Sequence, residues 1–270
     1  AISPTQKLNT TGIWTYPRTS AYTKCWVYPG RHGRINIVGA LTVSCNYFFC
    51  EMGYRLGIDA LDQYAAAFGL GQSTGIELGE KTGVLAGPEH SASVNQMWYG
   101  GNTVQAAIGQ SDHLFTPLQL ASYIATLVRG GDRLDAHLLK TVTAYDGSAI
   151  LYEHEPELLS QVDISVSTLS AVKEGMYNLT TQGSLARYFK DCIVSSGAKT
   201  GTAQISEDTT NNGVFVCFAP YEDPEIAVAI VIERGGSGSA LASTAVEILN
   251  AYFADSDIGT ALIPEGSLLP

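Results

Sequence analysis

The last third of the chain contains three consecutive segments typical of β-strands, and this run constrains the fold more than any other feature. The segments are "GAKTGTAQI" (197–205), "GVFVCFAPY" (213–221) and "EIAVAIVIER" (225–234). The tight "APYEDPE" turn predicts that the last two segments form a hairpin. The segment "SALASTAVEILNAYF" (239–253) follows, with apolar residues at helical spacing. We therefore expect an antiparallel sheet with helices packed against it.

The segment before this sheet is predicted to be mainly helical. "INIVGALTVSCNYFFCEMGYRL" (35–56) is apolar and long enough for one buried helix that begins near Asn36 and ends before Gly57. Asp59 is predicted to be the N-cap of a second helix, "ALDQYAAAFGL", which ends at Gly69–Gly71.

Two further helices are predicted between these and the sheet. One helix is predicted over 116–130, with Thr116 as its N-cap, Pro117 at its first helical position and Gly130 closing it. A strand-like segment, "LLKTVTAYDG", and a polar connection follow, and then a helix over 166–180. The whole pattern predicts an α+β fold.

Composition and charge limit the classes of function. The chain has 270 residues, 45% of them apolar and 15% charged, which suits one domain or two closely packed lobes. Its net charge of −11 argues against nucleic-acid binding, which needs a basic surface. The longest apolar runs, such as "IAVAIVI" (226–232), are too short to span a bilayer. Because the chain opens at Ala1, we interpret it as a piece of a longer protein.

The cysteines do not predict a metal site, and we expect no cofactor. The five cysteines form no CxxC pair, and no Cys/His spacing is typical of zinc. Free buried thiols are therefore the favoured interpretation, with one disulfide left open.

Two Lys-Thr-Gly strings compete for a functional role. Lys81 lies in a turn-rich loop beside Glu80, whereas Lys199 begins a predicted strand among small residues. Small side chains allow a ligand to lie against the strand, and Thr200 and Thr202 add hydroxyl groups around Gly201. Lys199 is therefore the candidate for binding a carboxylate, and a solvated surface lysine is the alternative.

A second candidate pair lies inside the first apolar segment. Ser44 and Asn46 would place a hydroxyl and an amide on a buried helix, where both need hydrogen-bond partners. The alternative is that both are core polar residues that bond to the backbone.

Taken together, these residues resemble the penicillin-binding protein and serine β-lactamase superfamily, whose motifs are SxxK, SxN and KTG in that order. Ser44-x-Asn46 and Lys199-Thr200-Gly201 match the second and third motifs, and the likeness is nearest to class B penicillin-binding proteins. Further matching segments are "HGRINIVGALTVSCNYFF" (32–49), "YAAAFGLGQSTGIELGEKTG" (64–83), "AAIGQSDHLFTPLQLASYIATLVRGG" (106–131), "VKEGMYNLTTQGSLARYF" (172–189), "AKTGTAQ" (198–204) and "VFVCFAPYEDPEIAVAIVIE" (214–233).

The resemblance implies a transpeptidase fold over residues 1–255, incomplete at its N-terminus, and a C-terminal extension over 256–270. It also implies a substrate-binding set of Lys199, Thr200, Gly201 and Thr202. Lys199 and Thr200 would contact the terminal carboxylate of D-Ala-D-Ala or a β-lactam, and the Thr202 N–H would be an oxyanion donor. Ser44 would pass a proton towards the leaving amine, and Asn46 would hold substrate amides.

The SxxK motif expected before Ser44 is missing. Ser170 with Lys173, and Ser196 with Lys199, are the two SxxK strings of the chain, and we interpret both as chance matches. Without a Ser-Lys pair no acyl-enzyme forms, so we expect this chain to be inactive by itself.

The parent protein is predicted to be a peptidoglycan D,D-transpeptidase that cross-links stem peptides and binds β-lactams. It would be anchored at the outer face of the bacterial plasma membrane by an N-terminal segment absent from this chain, alongside other cell-wall synthesis proteins. A non-catalytic penicillin-binding or sensing module is the alternative. A β-lactamase is disfavoured because no ExxLN segment supplies a base for deacylation.

Overall fold

This computed structural model describes residues 2–204 and 209–254, so the predicted extension over 256–270 lies outside the described residues. Its strands are β1 (Leu8–Thr10), β2 (Ile13–Thr15), β3 (Tyr22–Lys24), β4 (Gly33–Ile35), β5 (Asp132–Leu134), β6 (Thr141–Thr143), β7 (Ile150–Glu153), β8 (Leu158–Gln161), β9 (Gly197–Ala203), β10 (Asn212–Ala219) and β11 (Ile226–Ile232). Its helices are α1 (Ile37–Thr42), α2 (Asn46–Leu56), α3 (Ile58–Ala67), α4 (Pro88–Ser93), α5 (Gly100–Ala106), α6 (Pro117–Val128), α7 (Val166–Thr181), α8 (Ala186–Phe189) and α9 (Ala242–Ala254), the last preceded by a 3₁₀ turn (Gly238–Leu241).

The predicted three-stranded sheet is confirmed as an antiparallel sheet in the order β11-β10-β9. Successive residues of β10 face opposite sides, as the two-residue period of a strand requires. Val216 and Phe218 pack with α6 and α7, whereas Phe215 and Cys217 pack with α8 and α9. The last residue of the predicted first strand, Ile205, lies outside the described residues. Helices therefore cover both faces, and the α+β prediction is confirmed.

Local signals in the sequence located the two helices on one face of this sheet. In α6, Thr116 forms a capping box with Gln119, Pro117 is the first helical residue, and Gly130 follows at φ +82°. The helix α7 extends over Val166–Thr181, close to the predicted 166–180. Among the described residues, no helix is both long and apolar enough to cross a membrane.

The prediction of one continuous helix over 35–56 was wrong, because α1 and α2 are separated at Ser44. Ser44 has φ +50°, and Cys45 is extended, so the helical backbone stops for three residues. The indole N–H of Trp26 donates to the carbonyls of Val43 and Ser44, at 2.9 and 3.1 Å. These carbonyls lack helical partners at the break, so a donor from a distant segment stabilises an interruption that the local sequence does not encode.

The predicted start of the next helix also needs correction. Gly57, with φ +77°, is the N-cap of α3, and Asp59 lies inside its first turn instead of capping it. The helix ends at Ala67, before the predicted Gly69–Gly71. Asp59 still stabilises the helix in the general way that an acidic residue does near a positive N-terminal dipole.

Residues 132–161, here called the arm, contain more strand than predicted. The strand-like segment "LLKTVTAYDG" contributes only β6, and the predicted polar connection contains β7 and β8. The strands pair antiparallel as β5 with β8 and β6 with β7, giving two two-stranded sheets.

Candidate active site

The side chain of Lys199 points from the edge strand β9 to the break between α1 and α2. Lys199 pairs with Val216 in the sheet, so its side chain lies on the face that α6 and α7 cover. Its ammonium donates to Ser44 Oγ at 2.7 Å and to the carbonyl of Thr200 at 2.9 Å. The structure thus brings together Lys199 and Ser44, two of the residues selected from sequence.

Burial changes the acid–base character of this lysine. Removal from water disfavours the ammonium and lowers the pKa of Lys199 from 10.5 to about 8. No carboxylate forms an ion pair with it among the described residues. An amine with this pKa exchanges a proton near neutral pH much more readily than an exposed lysine does. Ser44 is the neighbouring group that would exchange a proton with the Lys199 amine.

Close packing of α1 against α7 sets the position of Ser44. Gly175 of α7 faces α1 so closely that an added Cβ would lie 2.6 Å from Leu41 Cβ and 3.1 Å from Val38 O. The hydroxyl of Thr42, at the end of α1, donates to Val38 O at 2.8 Å and contacts Gly175 O at 3.5 Å. A larger residue at 175 would therefore move α1, and Ser44 with it, relative to the sheet.

The outer edge of β9 is partly open. The carbonyls of Thr200 and Thr202 point away from β10. The Thr200 carbonyl accepts from Lys199 Nζ, and the Thr202 carbonyl accepts from Gln110 Nε2 at 3.1 Å. The N–H and C=O of one strand residue face the same edge, so the Thr202 N–H also faces outwards. Gln110 Oε1 accepts from Gln204 N at 3.4 Å. Thr202 thus offers an outward donor, as an oxyanion site requires.

Gln110 and Trp26 are site residues that the sequence reasoning missed. Gln110 borders the outer edge of β9, and Trp26 holds the carbonyls around Ser44. Gln110 lies within one of the segments that carried the family resemblance, which was the available signal for it. Trp26 lies in a loop with no motif, so its role follows from tertiary structure alone.

Asn46, the other member of the SxN string, is the first residue of α2 and is partly exposed. Within the described part of the chain its side chain makes no hydrogen bond, which leaves the amide free for a ligand. Cys45, which lies between Ser44 and Asn46, is fully buried and packs with Ala40 and Phe48. The motif therefore has a core-facing middle residue and two outer residues available to a ligand.

The competing lysine and serines are placed differently. Lys81 is exposed in the loop before α4. Ser170 is exposed on α7, and the ammonium of Lys173 lies over the rings of Phe218 and Tyr221, at 5.7 and 5.4 Å from their centroids. Ser196 is buried, with 3% of its surface exposed. None of these placements presents a serine–lysine pair to Ser44.

Among the described residues, two groups of side chains bring together donor atoms suited to a metal, one built from cysteine and histidine and the other from aspartate and histidine. Cys25, His32 and Cys45 place their donor atoms within 4.8 Å of one another, with Cys25 Sγ 3.7 Å from His32 Nδ1. A hydrogen bond from Cys45 lowers the pKa of Cys25 to about 5, and the same contact raises the pKa of Cys45.

All five cysteines are free, so the disulfide that the sequence left open is not formed. A second group, Asp135, His137 and His154, lies in the arm.

Comparison with known proteins identifies several relatives. A family profile described as "Penicillin binding protein transpeptidase domain" matches residues 1–253. The chain is 32% identical to the peptidoglycan D,D-transpeptidase MrdA of Escherichia coli (strain K12) over 259 residues, covering 88% of this chain and 40% of that protein. It therefore spans well under half the length of that curated relative.

Solved structures show the same likeness in three dimensions. The crystal structure of Pseudomonas aeruginosa PBP2 in complex with WCK 5153 matches with a TM-score of 0.84 and 28% identity, covering 95% of this chain and 55% of that chain. Helicobacter pylori PBP2, in a complex with MreC, matches with a TM-score of 0.80 and 25% identity, covering 94% of this chain and 46% of that chain.

Proposed function

Because the chain belongs to the penicillin-binding protein transpeptidase domain family, we propose that it is part of a peptidoglycan D,D-transpeptidase. In this proposal residues 1–255 form most of the transpeptidase domain, and the parent protein joins cell-wall stem peptides through a serine acyl-enzyme. β-Lactams are the inhibitors expected to occupy the same site.

One observation carries the proposal: the 2.7 Å hydrogen bond between Lys199 Nζ and Ser44 Oγ, at the open edge of a strand. A hydroxyl beside an amine of lowered pKa can relay a proton to a leaving amine, which is the step that cleavage of a D-Ala-D-Ala amide needs. An isolated surface lysine would have no reason to be partly buried with its ammonium against a serine hydroxyl.

The substrate class follows from the groups around this pair. Lys199 and Thr200 are proposed to bind the terminal carboxylate of D-Ala-D-Ala or of a β-lactam. The outward N–H of Thr202 would stabilise the oxyanion that forms when the carbonyl is attacked. Gly201 leaves room for the ligand against the strand, and the unbonded amide of Asn46 would hold a substrate amide.

The nucleophile is proposed to lie outside these 270 residues. No serine before Ser44 has a lysine three residues later, and a helical spacing of three is what places a serine and its lysine on one face. The burial of Ser196 and the aromatic contacts of Lys173 support the interpretation that both internal SxxK strings are chance matches. We therefore expect the isolated chain to bind β-lactams weakly and reversibly, without acylation.

The setting of the parent protein is also a proposal. The Helicobacter pylori relative is described in a complex with MreC, which supports a cell-wall synthesis protein as a partner of the parent protein. Stem peptides lie outside the plasma membrane, so the domain is proposed to work at the extracytoplasmic face, anchored by a segment that these residues do not include.

Intact-mass spectrometry after incubation with a fluorescent penicillin tests the proposal. The parent protein is expected to gain the mass of one drug molecule, and the isolated chain none. A stoichiometric gain on the isolated chain would mean that a nucleophile lies within it, and peptide mapping would identify the serine. An unmodified parent protein would instead favour a non-catalytic sensing module.

A further inference from the structure

The arm contains a group of two histidines and one aspartate that the proposed reaction does not use. Asp135 and His137 follow the end of β5, and His154 follows the end of β7. One donor atom from each of the three residues lies within 4.8 Å of the others. Two imidazole nitrogens and one carboxylate oxygen are a donor set that Zn²⁺ and related divalent ions bind.

Two of the imidazole nitrogens lack satisfactory partners. His137 Nδ1 is buried without a hydrogen bond among the described residues. His154 Nε2 is also buried, and although it lies 2.9 Å from Asp135 Oδ2, the contact does not have hydrogen-bond geometry. A buried polar atom without a partner is costly, so two of them in a group that also contains a carboxylate indicate a missing ligand.

The 2.9 Å contact between Asp135 Oδ2 and His154 Nε2 is shorter than the separation of two ligands of one ion, so these two atoms would move slightly apart on metal binding. Oxygen and nitrogen ligands of one tetrahedral Zn²⁺ lie about 3.3 Å apart when each is about 2.0 Å from the metal. The His137 and His154 rings are stacked, with centroids 3.8 Å apart and planes 27° apart. The three donor atoms already lie within 4.8 Å of one another, so small shifts of the side chains would bring them around one ion.

The neighbouring groups hold the donors in place. Asp135 Oδ1 accepts from Glu157 N at 2.7 Å, which leaves Oδ2 available. His154 Nδ1 lies 3.2 Å from the Tyr152 hydroxyl, which can accept its proton and leave the Nε2 lone pair free. Such outer contacts are typical of histidines that bind metals, because they fix the tautomer and the ring orientation.

The arm also has a physical need for such a link. The buried apolar clusters of the described residues include no member from β6 or β7. Large apolar side chains of the arm are exposed instead, among them Leu151 at 67%. A two-stranded sheet without an apolar core is marginal by itself, so a tie between the ends of β5 and β7 would contribute much of the stability of the arm.

We propose that Asp135, His137 and His154 bind one divalent transition-metal ion of the Zn²⁺ class, which links β5 to β7. Water completes the coordination. The ion has a structural role, because the arm holds none of the residues assigned to the transpeptidase reaction.

Isothermal titration of the EDTA-treated chain with Zn²⁺ tests this site. We expect His137→Gln, His154→Gln and Asp135→Asn each to weaken binding at one site by at least about tenfold. His90→Gln on α4 is the matched control, since His90 belongs to neither donor group, and should bind as the wild type does. Zn²⁺ should raise the Tm of the wild type and of His90→Gln, but raise it less in the three variants.

Titration with Co²⁺ separates this site from the cysteine-containing group. The Co²⁺ spectrum of the wild type minus that of His154→Gln should contain no sulfur-to-cobalt charge-transfer band. The reason is that the arm group offers only nitrogen and oxygen donors. Asp135→Asn keeps the size of the side chain, so it provides a folded variant even where a histidine variant unfolds. Equal Zn²⁺ affinity and stoichiometry in the wild type and all three variants, or no binding by the wild type at micromolar Zn²⁺, would overturn the proposal.

Discussion

The ammonium of Lys199 donates a 2.7 Å hydrogen bond to the hydroxyl of Ser44, which is 155 positions away in the sequence. This contact joins the edge of the three-stranded sheet to the interruption between α1 and α2. Neither partner is placed by its own element alone: the strand supplies the lysine, and a break in a helix supplies the serine.

The two Lys-Thr-Gly strings provide a matched pair of variants in the parent protein. Lys199→Met should slow acylation by a fluorescent penicillin by at least about 100-fold, because it removes a partly buried cation from the reacting site. Lys81→Met removes an exposed lysine from a loop and should leave the rate unchanged. Stopped-flow or gel-based acylation rates measure both. A larger loss in Lys81→Met would reverse the assignment.

Stability should depend on pH through Lys199. Its pKa is about 8 in the folded chain against 10.5 as the ordinary value, so the unfolded chain holds the extra proton between these pH values. Below pH 8 the cost of the buried charge is fully present. As pH rises from about 8 to 10.5, the wild type should gain up to roughly 3 kcal/mol relative to Lys199→Met.

Urea unfolding of the wild type, Lys199→Met and Lys190→Met across this range measures the effect. Lys190 is a suitable control because 71% of its side chain is exposed. The curve for Lys190→Met should run parallel to that of the wild type. A stability difference between the wild type and Lys199→Met that does not change with pH would show that the burial of Lys199 has no electrostatic cost.

The backbone of Ser44 predicts an unusual order of variant stabilities. Ser44→Gly and Ser44→Ala both remove the hydroxyl that accepts from Lys199, but only glycine adopts φ +50° without strain. Ser44→Gly should therefore be more stable than Ser44→Ala by about 1 kcal/mol. Chemical denaturation gives the comparison directly, and alanine proving equal or better would mean that the break relaxes at little cost.

The surroundings of two helical glycines predict opposite effects of an added methyl group on stability. Gly175→Ala places a Cβ 2.6 Å from Leu41 Cβ and should destabilise the chain by about 1–3 kcal/mol. Gly101→Ala in α5 meets no atom within 4 Å and should be neutral or stabilising by about 0.5–1 kcal/mol. Unfolding midpoints test both, and equal destabilisation would argue against close packing at Gly175.

Elements with strong local signals were predictable from the sequence. Thr116 and Pro117 start α6, and the apolar alternation and short turn of β10 and β11 give a hairpin with few alternatives. The Lys199 segment was recognisable because small residues surround it. These features depend on near neighbours in the chain, which a sequence pattern records well.

The interruption at Ser44 was not predictable by the same means. The apolar pattern continues through it, and the donor that stabilises the break, Trp26, lies in an earlier loop. The Asp135 group was missed for a related reason: His154 is separated from its partners by a hairpin, so no short spacing records the cluster. Contacts between distant segments decide both features.

The free edge of β9 is a liability in concentrated solution as well as a place for a ligand. Unpaired strand groups can template the addition of an extended segment from another molecule, which is how edge-to-edge aggregation begins. Gln110 occupies the outward carbonyl of Thr202 and the N–H of Gln204, and Lys199 occupies the carbonyl of Thr200. The side chains that border the cleft therefore also keep the edge of β9 from pairing with a second molecule, which favours solubility. A bound peptide would cover more of the same edge.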